Sequence, residues 1–283
     1  MQGSSAVTME VDAALRQFGG AEDDAIDLAA AALALAARTR PGVDIAPYRA
    51  HLQALADDVA ARVGRRVGEM PLDDRIATIN GVLFDRHGYQ GDSTTYDDLQ
   101  NANLMSVIER RRGLPVALGI LYVHAARAQG WPVEGLNFPG HFLLRLRQGE
   151  RAAIIDPFHG GQRCETADLR ALIKAVEGAT AELVPSHCQP ASNRQILLRL
   201  QNNLKLRLMR DERIDQAVAI IEGMLLLAPD EPRLWHEAGV LHGRLGNLRA
   251  AIAALENLVA LNRSSDRHGA AVRLLAEMKS RLN

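Results

Sequence analysis

A histidine ordered by a carboxylate, with a Cys, Ser or Thr within reach, is the arrangement that activates a nucleophile for acyl transfer. The chain supplies two of these three parts. Phe138-Pro-Gly-His-Phe-Leu-Leu-Arg145 and Ile154-Ile-Asp-Pro-Phe-His-Gly-Gly161 carry His141 and Asp156 on apolar runs that read as strands. Gln148-Gly149 fits a two-residue hairpin turn between them, and opposed positions then sum to 297, as 141 and 156 do. Directly opposed side chains have Cβ atoms about 4.5–5.5 Å apart, so Asp156 is expected to accept an imidazole N–H from His141.

The natural place for the third part is a helix start, where the dipole lowers a thiol pKa. Arg111-Arg-Gly-Leu-Pro-Val-Ala-Leu-Gly119 contains such a start, but Leu114-Pro115-Val116 brings neither thiol nor hydroxyl. Two readings of His141 and Asp156 therefore stay open: a residual catalytic pair, or a hydrogen bond that holds the hairpin. Cys164 and Cys188 offer a thiol from another direction, against the plainer role of small buried hydrophobes. His141, His159, His187 and Cys188 follow no metal-ligand spacing, so neither a metal nor another cofactor is expected. His124 lies mid-helix and reads as packed or exposed. The Arg110–Arg112 run suits either an acidic partner or a solvated helix end, and Gly160-Gly161 either a close backbone approach or a loop turn.

The elements around these residues are mostly helical. Helices are expected over 8–38, ended by Arg38-Thr-Arg-Pro-Gly42, over 46–63, and from Leu72 to Leu83. A break spans Gly64 to Pro71, and His87 to Asp98 is a polar loop open to functional or plain surface use. Helices follow over 104–111 and from Pro115 to Gln129, Pro being suited to a first helical position. Strands are expected over 133–137, 141–147 and 152–155. From Asn193 onward all is helix, with a repeat of 34 residues that sets Leu204 on Ala238, Ala217 on Ala251, Ile221 on Leu255 and Met224 on Leu258. The second copy carries Trp235, Ala238, Gly239, Gly246, Ala251 and Leu255 at the expected positions for a tetratricopeptide unit. In the first copy Gln201 stands for Trp and Lys205 for Gly. Two copies need support from elsewhere, with the helix from His268 to Leu282 as a cap.

Composition narrows the function classes. In 283 residues, 47% are apolar and 24% charged, which fits a globular chain with a real core. Lys and Arg number 33 against 34 Asp and Glu, a balance that argues against a dedicated nucleic-acid binder. The start Met1-Gln-Gly-Ser-Ser has no signal-peptide pattern, and Leu28–Ala37 is too short to cross a bilayer, so a cytoplasmic location is expected.

The stretch from Gly113 through Pro132, with His141 and Asp156, resembles the core of transglutaminase-like proteins, a papain-like α+β arrangement. In that frame the catalytic Cys position falls on Pro115. More narrowly, Arg112-Gly-Leu-Pro115, Asn137-Phe-Pro-Gly-His-Phe-Leu143, Ile155-Asp-Pro-Phe158 and Gly160-Gly161 resemble the bacterial SirB family. That resemblance implies a transglutaminase-like domain joined to a tetratricopeptide tail, often without the cysteine. The expected fold is thus α+β and mostly helical: residues 1–98 a helical region packing on the core, 99–190 the core, and 191–283 two repeats plus cap. The expected function is a non-catalytic protein-interaction or regulatory role, with a protein or peptide partner and neither nucleic acid nor membrane. The alternative is an enzyme acting on peptide amides through His141, Asp156 and an unconventional nucleophile.

Overall fold

The computed structural model describes residues 2–64, 70–261 and 268–282. Helix α1 (Gln2–Gly20) ends at a Gly pair, and α2 (Leu28–Arg38) begins anew, so the single helix expected over 8–38 is two. The cause is Asp27, whose side chain accepts from the N–H groups of Ala29 (3.1 Å) and Ala30 (3.0 Å) and caps α2. Helix α3 (Ala46–Val63) matches the expected span, and α4 (Leu72–Asn80) runs on into a wider π-type turn over Gly81–Arg86. The break expected from Gly64 to Pro71 lies in large part outside the described residues.

Strand β1 (Gln90–Gly91) pairs in parallel with β2 (Arg112–Gly113), and the two bracket helix α5 (Leu104–Arg110). Asn103 caps α5 by accepting from Ser106 N–H at 3.1 Å, and Arg111 ends it in the left-handed region at φ 58°. Helix α6 (Pro115–Arg127) opens on its proline, as expected. An antiparallel sheet follows, built from β3 (Val133–Leu136), β4 (Leu143–Gln148), β5 (Arg151–Asp156), β6 (Gln162–Cys164) and later β7 (Pro190–Ala191). Its spatial order is β6-β5-β4-β3-β7. Between β6 and β7 lies α7 (Thr166–Glu177), entered through a Glu165–Asp168 capping box.

The hairpin differs from expectation by one step of the turn. Gln148 pairs with Arg151, so the loop is Gly149-Glu150, with Gly149 at φ 56° as a tight hairpin loop requires. Carried along the strands, this register brings Asp156 level with Leu143 instead of His141. The slip is two positions, so His141 and Asp156 keep the same face of the sheet; a slip of one would have separated them.

Helices α8 (Asn193–Arg210), α9 (Ile214–Leu227), α10 (Pro232–Arg244), α11 (Leu248–Leu261) and α12 (His268–Leu282) complete the chain. They alternate as the repeat predicts, with α12 in the capping place. The chain forms two compact units, one holding Glu22–Ala37 and Val43–Leu200, the other holding α1, Arg38–Gly42 and the chain from Gln201 onward. The region expected as 1–98 is thereby divided. Helix α1 packs on α9, so closely that a Cβ on Gly19 would lie 2.2 Å from the Leu226 carbonyl oxygen. In the second repeat, a Cβ on Gly239 would meet Leu255 Cδ2 at 2.7 Å, which explains the small residue there. Gln201 and Lys205, the two departures of the first copy, are buried, and Lys205 pairs with Glu237.

In the other unit α6 is the central helix, buried along nearly its whole length. A Cβ on Gly119 would lie 2.4 Å from Phe142 Cε1, so α6 rides directly on the residue after His141. One turn on, the hydroxyl of fully buried Tyr122 has no hydrogen-bond partner among the described residues. Opposite effects are expected from two small changes in this helix. Gly119→Ala should lower stability by about 1–3 kcal/mol through overpacking. Tyr122→Phe should raise it by about 1 kcal/mol, since it removes an unsatisfied buried hydroxyl. Urea-unfolding midpoints of the two variants check both signs.

Candidate functional site

His141 and Asp156 meet as the sequence expects. His141 stands just before β4 and its Nε2 lies 2.8 Å from Asp156 Oδ2, at the end of β5. The structure adds a third member: His159 Nδ1 lies 2.7 Å from the same carboxylate oxygen. An ionised carboxylate only accepts, so both imidazoles donate their N–H to it. The other oxygen, Oδ1, accepts from the backbone N–H groups of Phe158 (2.9 Å) and, more weakly, His159 (3.4 Å). Burial by itself would raise the Asp156 pKa, but hydrogen bonds and charge from His141 and His159 outweigh it and hold the carboxyl below its ordinary range.

Each member is held by its own support. Gly140, at φ 65°, lets the chain turn into His141 where a Cβ would lie 2.4 Å from Val176 Cγ2. Arg199 on α8 donates to the carbonyls of His141 (2.6 Å) and Phe138 (3.2 Å) and lies over the Phe142 ring. The Phe158 ring packs edge-on against both imidazoles, with centroids 6.3 Å from His141 and 5.3 Å from His159. Phe158 in turn meets Tyr96 and leaves no room for a side chain at Gly91. Gly161 closes the loop: Asn80 Nδ2 donates to its carbonyl at 2.9 Å, and a Cβ there would sit 2.0 Å from Asn80 Oδ1. The close approach read from Gly160-Gly161 is thus made at Gly161, by another side chain of the protein.

Pro115 is buried at the first position of α6. Its approach is set by the polar loop after β1. Asp92 is buried and accepts from Thr95 N (2.8 Å), Thr95 Oγ1 (2.6 Å) and Arg110 (3.1 Å). Arg110 also donates to Asn101 Oδ1 at 2.9 Å, and the Asn101 carbonyl accepts from Leu114 N–H at 2.9 Å, next to Pro115. Burial would raise the Asp92 pKa, but the Thr95, Asn101 and Arg110 partners hold it at about 2. Sequence reasoning left this loop undecided; the signal it carried was Asp and Asn among turn formers, followed by an Arg. The basic run divides accordingly. Arg110 is taken by the loop, and Arg111 donates to Tyr89 Oη and His51 Nε2, both at 2.6 Å, while Arg112 is exposed. Burial first, then Arg111, pushes the His51 pKa down to about 4.

The remaining candidates lie elsewhere in chemistry. Cys164 and Cys188 are free and border the apolar cluster around Phe138 and Ile173. Burial, then the charges of Asp156, Asp168 and Glu165, pushes the Cys164 thiol up to about 12. Burial also raises Cys188, against the opposing pull of Arg145. His187 lies 3.9 Å from Glu177, and His124 Nε2 lies 3.0 Å from the Leu52 carbonyl oxygen; neither joins the cluster at Asp156.

With this geometry in place, residues 46–202 match the transglutaminase-like superfamily, over more than half of the chain. The chain belongs to that superfamily. Residues 204–278 match the tetratricopeptide repeat. A UPF0162 protein of Xylella fastidiosa is 30% identical over 243 residues, covering 85% of each chain, which places this protein in the UPF0162 family. A UPF0162 protein of Vibrio cholerae is 30% identical over 231 residues, covering 81% of this chain and 84% of its own. Human F-box only protein 21 is 31% identical over 180 residues, covering 59% of this chain and 28% of its own. The transglutaminase-like region contains the whole His141–Asp156–His159 cluster. Among the described residues no helix is long and apolar enough to cross a membrane.

The depressed Asp156 pKa has a direct consequence for this transglutaminase-like unit. A carboxyl with a folded pKa below its unfolded value of about 3.9 contributes stability in full above that value. The contribution is lost as pH falls through the lower, folded pKa. Asp156→Asn is expected to flatten the acid limb of the stability profile below about pH 4. Urea midpoints of wild type and variant between pH 3 and 7 measure the difference.

Proposed function

We propose that this UPF0162 protein is a protein-binding module on a transglutaminase-like scaffold that does not use thiol chemistry, and that it takes its partner in a groove of the tetratricopeptide region. The observation that carries the binding role is the groove of about 460 Å³ between α8 and α10. Leu206, Met209, Val240 and Leu241 line it, and Leu206 is 61% exposed despite its size. An exposed apolar strip between paired helices is the form in which helical repeats meet peptide segments. Lys205 in the groove wall is neutralised by Glu237, whereas Arg244 adds positive charge. The partner is therefore a peptide segment that presents large apolar side chains beside Asp or Glu.

The absence of thiol chemistry has separate support. In the frame of the family resemblance the nucleophile position is Pro115, which is buried and has no group to attack with. Both cysteines have raised pKa values, the opposite of what a reactive thiolate needs. A regulatory role fits a protein that binds without turning over a peptide amide.

A displayed random peptide library panned on the full chain tests this reading. Peptides rich in large apolar residues with flanking Asp or Glu are expected, with affinity reduced about 10–100-fold by Leu206→Glu, as loss of one buried Leu contact implies. No enrichment, or equal binding by Leu206→Glu and Val240→Asp, would overturn it.

A further inference from the structure

We infer that His141, Asp156 and His159 form a binding site for one divalent first-row transition-metal ion of the zinc class. This goes beyond the groove and is independent of it.

The three side chains converge on one point. His141 Nε2 and His159 Nδ1 lie 2.8 and 2.7 Å from Asp156 Oδ2, and one donor atom from each of the three lies within 4.8 Å of the others. Ligand atoms around a tetrahedral ion with bonds of about 2.0–2.2 Å stand about 3.3–3.6 Å apart, so the carboxylate oxygen already lies within ligand spacing of both nitrogens, and the imidazoles adjust around it as the ion enters. The two imidazoles are stacked with centroids 6.0 Å apart and planes 25° apart, each turning a nitrogen to the same oxygen. Two imidazoles and one carboxylate form a donor set for zinc or for iron(II), and such sets leave at least one coordination position open.

What separates the cluster from a casual surface group is the support behind it. A metal-binding carboxylate and imidazole need outer partners that fix their orientation. Asp156 is 4% exposed and its Oδ1 is tied to the backbone of the following turn, so Oδ2 faces the imidazoles. Arg199 fixes the backbone of His141, and Phe158 sets the planes of both rings. His159 is the outermost member, with a side chain 58% exposed, which leaves the ion an entry path from solvent. Coordination requires each donor nitrogen to present its lone pair, so both imidazoles move their proton to the other ring nitrogen as the ion enters.

Calorimetric titration of the full chain with zinc chloride, after chelator treatment, is the test, with cobalt(II) visible absorption as a second readout. One ion per chain is expected, with cobalt bands that report mixed nitrogen and oxygen ligation. His159→Ala, a change at an exposed side chain that leaves the fold in place, should weaken binding at least tenfold. Asp156→Asn should do the same, and His187→Ala should leave the affinity unchanged. Absence of saturable one-to-one binding would overturn the inference. So would an affinity unmoved by His159→Ala, or one lost in His187→Ala. The groove reading stands or falls on peptide binding, so failure of either proposal is visible separately.

Discussion

Asp156 turns one carboxylate oxygen to the backbone of the loop that follows it and the other to two imidazoles. The first oxygen fixes the angle at which the second leaves the strand. That arrangement works only because β5 ends where the chain reverses at Pro157 and Phe158, bringing His159 back over the carboxylate. It also needs His141 delivered from the turn just before β4. Gly140, Arg199, Phe142 and the tight seat of Phe142 on Gly119 all serve that delivery. The central helix α6 and the segment of Gly91 and Tyr96 thus frame the two aromatic residues, Phe142 and Phe158, that flank the shared carboxylate's imidazoles.

The same frame bears on the thiol chemistry that the family resemblance would place at the start of α6. A thiolate at the start of α6 would gain from the helix dipole and from a neighbouring imidazole, the usual way such a site is activated. Pro115 starts the helix well but supplies only a ring, and the Asn101–Leu114 hydrogen bond holds it in that place. The two thiols that do exist sit among apolar side chains, where burial opposes ionisation. An imidazole pair ordered on one carboxylate is suited to holding something, whether a proton or an ion.

Much of this was legible in the sequence where the rule is local. Pro115 at a helix start, Ala46–Val63 as a helix and the 34-residue repeat all follow from spacing and side-chain type. The His141–Asp156 contact was legible too, but from a hairpin turn placed one residue early; the resulting error of two in register preserved the face, and so the contact. The contact of His159 with Asp156 was missed because it depends on the loop's reversal after Asp156, which strand arithmetic does not describe. An Asp followed by a backbone-capping turn three residues before a His was the available signal. The grouping of α1 with the C-terminal helices was not legible, because an amphipathic pattern states that a face is buried and not against what. The split at Asp27 was a capping signal masked by the Ala-rich run on either side.

The shared carboxylate is most directly tested by long-range nitrogen–proton NMR correlations of the imidazole rings, in chelator-treated protein near neutral pH. If Asp156 accepts from both rings, His141 carries its proton on Nε2 and His159 on Nδ1, and both signals change in Asp156→Asn. A His159 ring that carries its proton on Nε2 and ignores the Asp156 substitution would contradict the account.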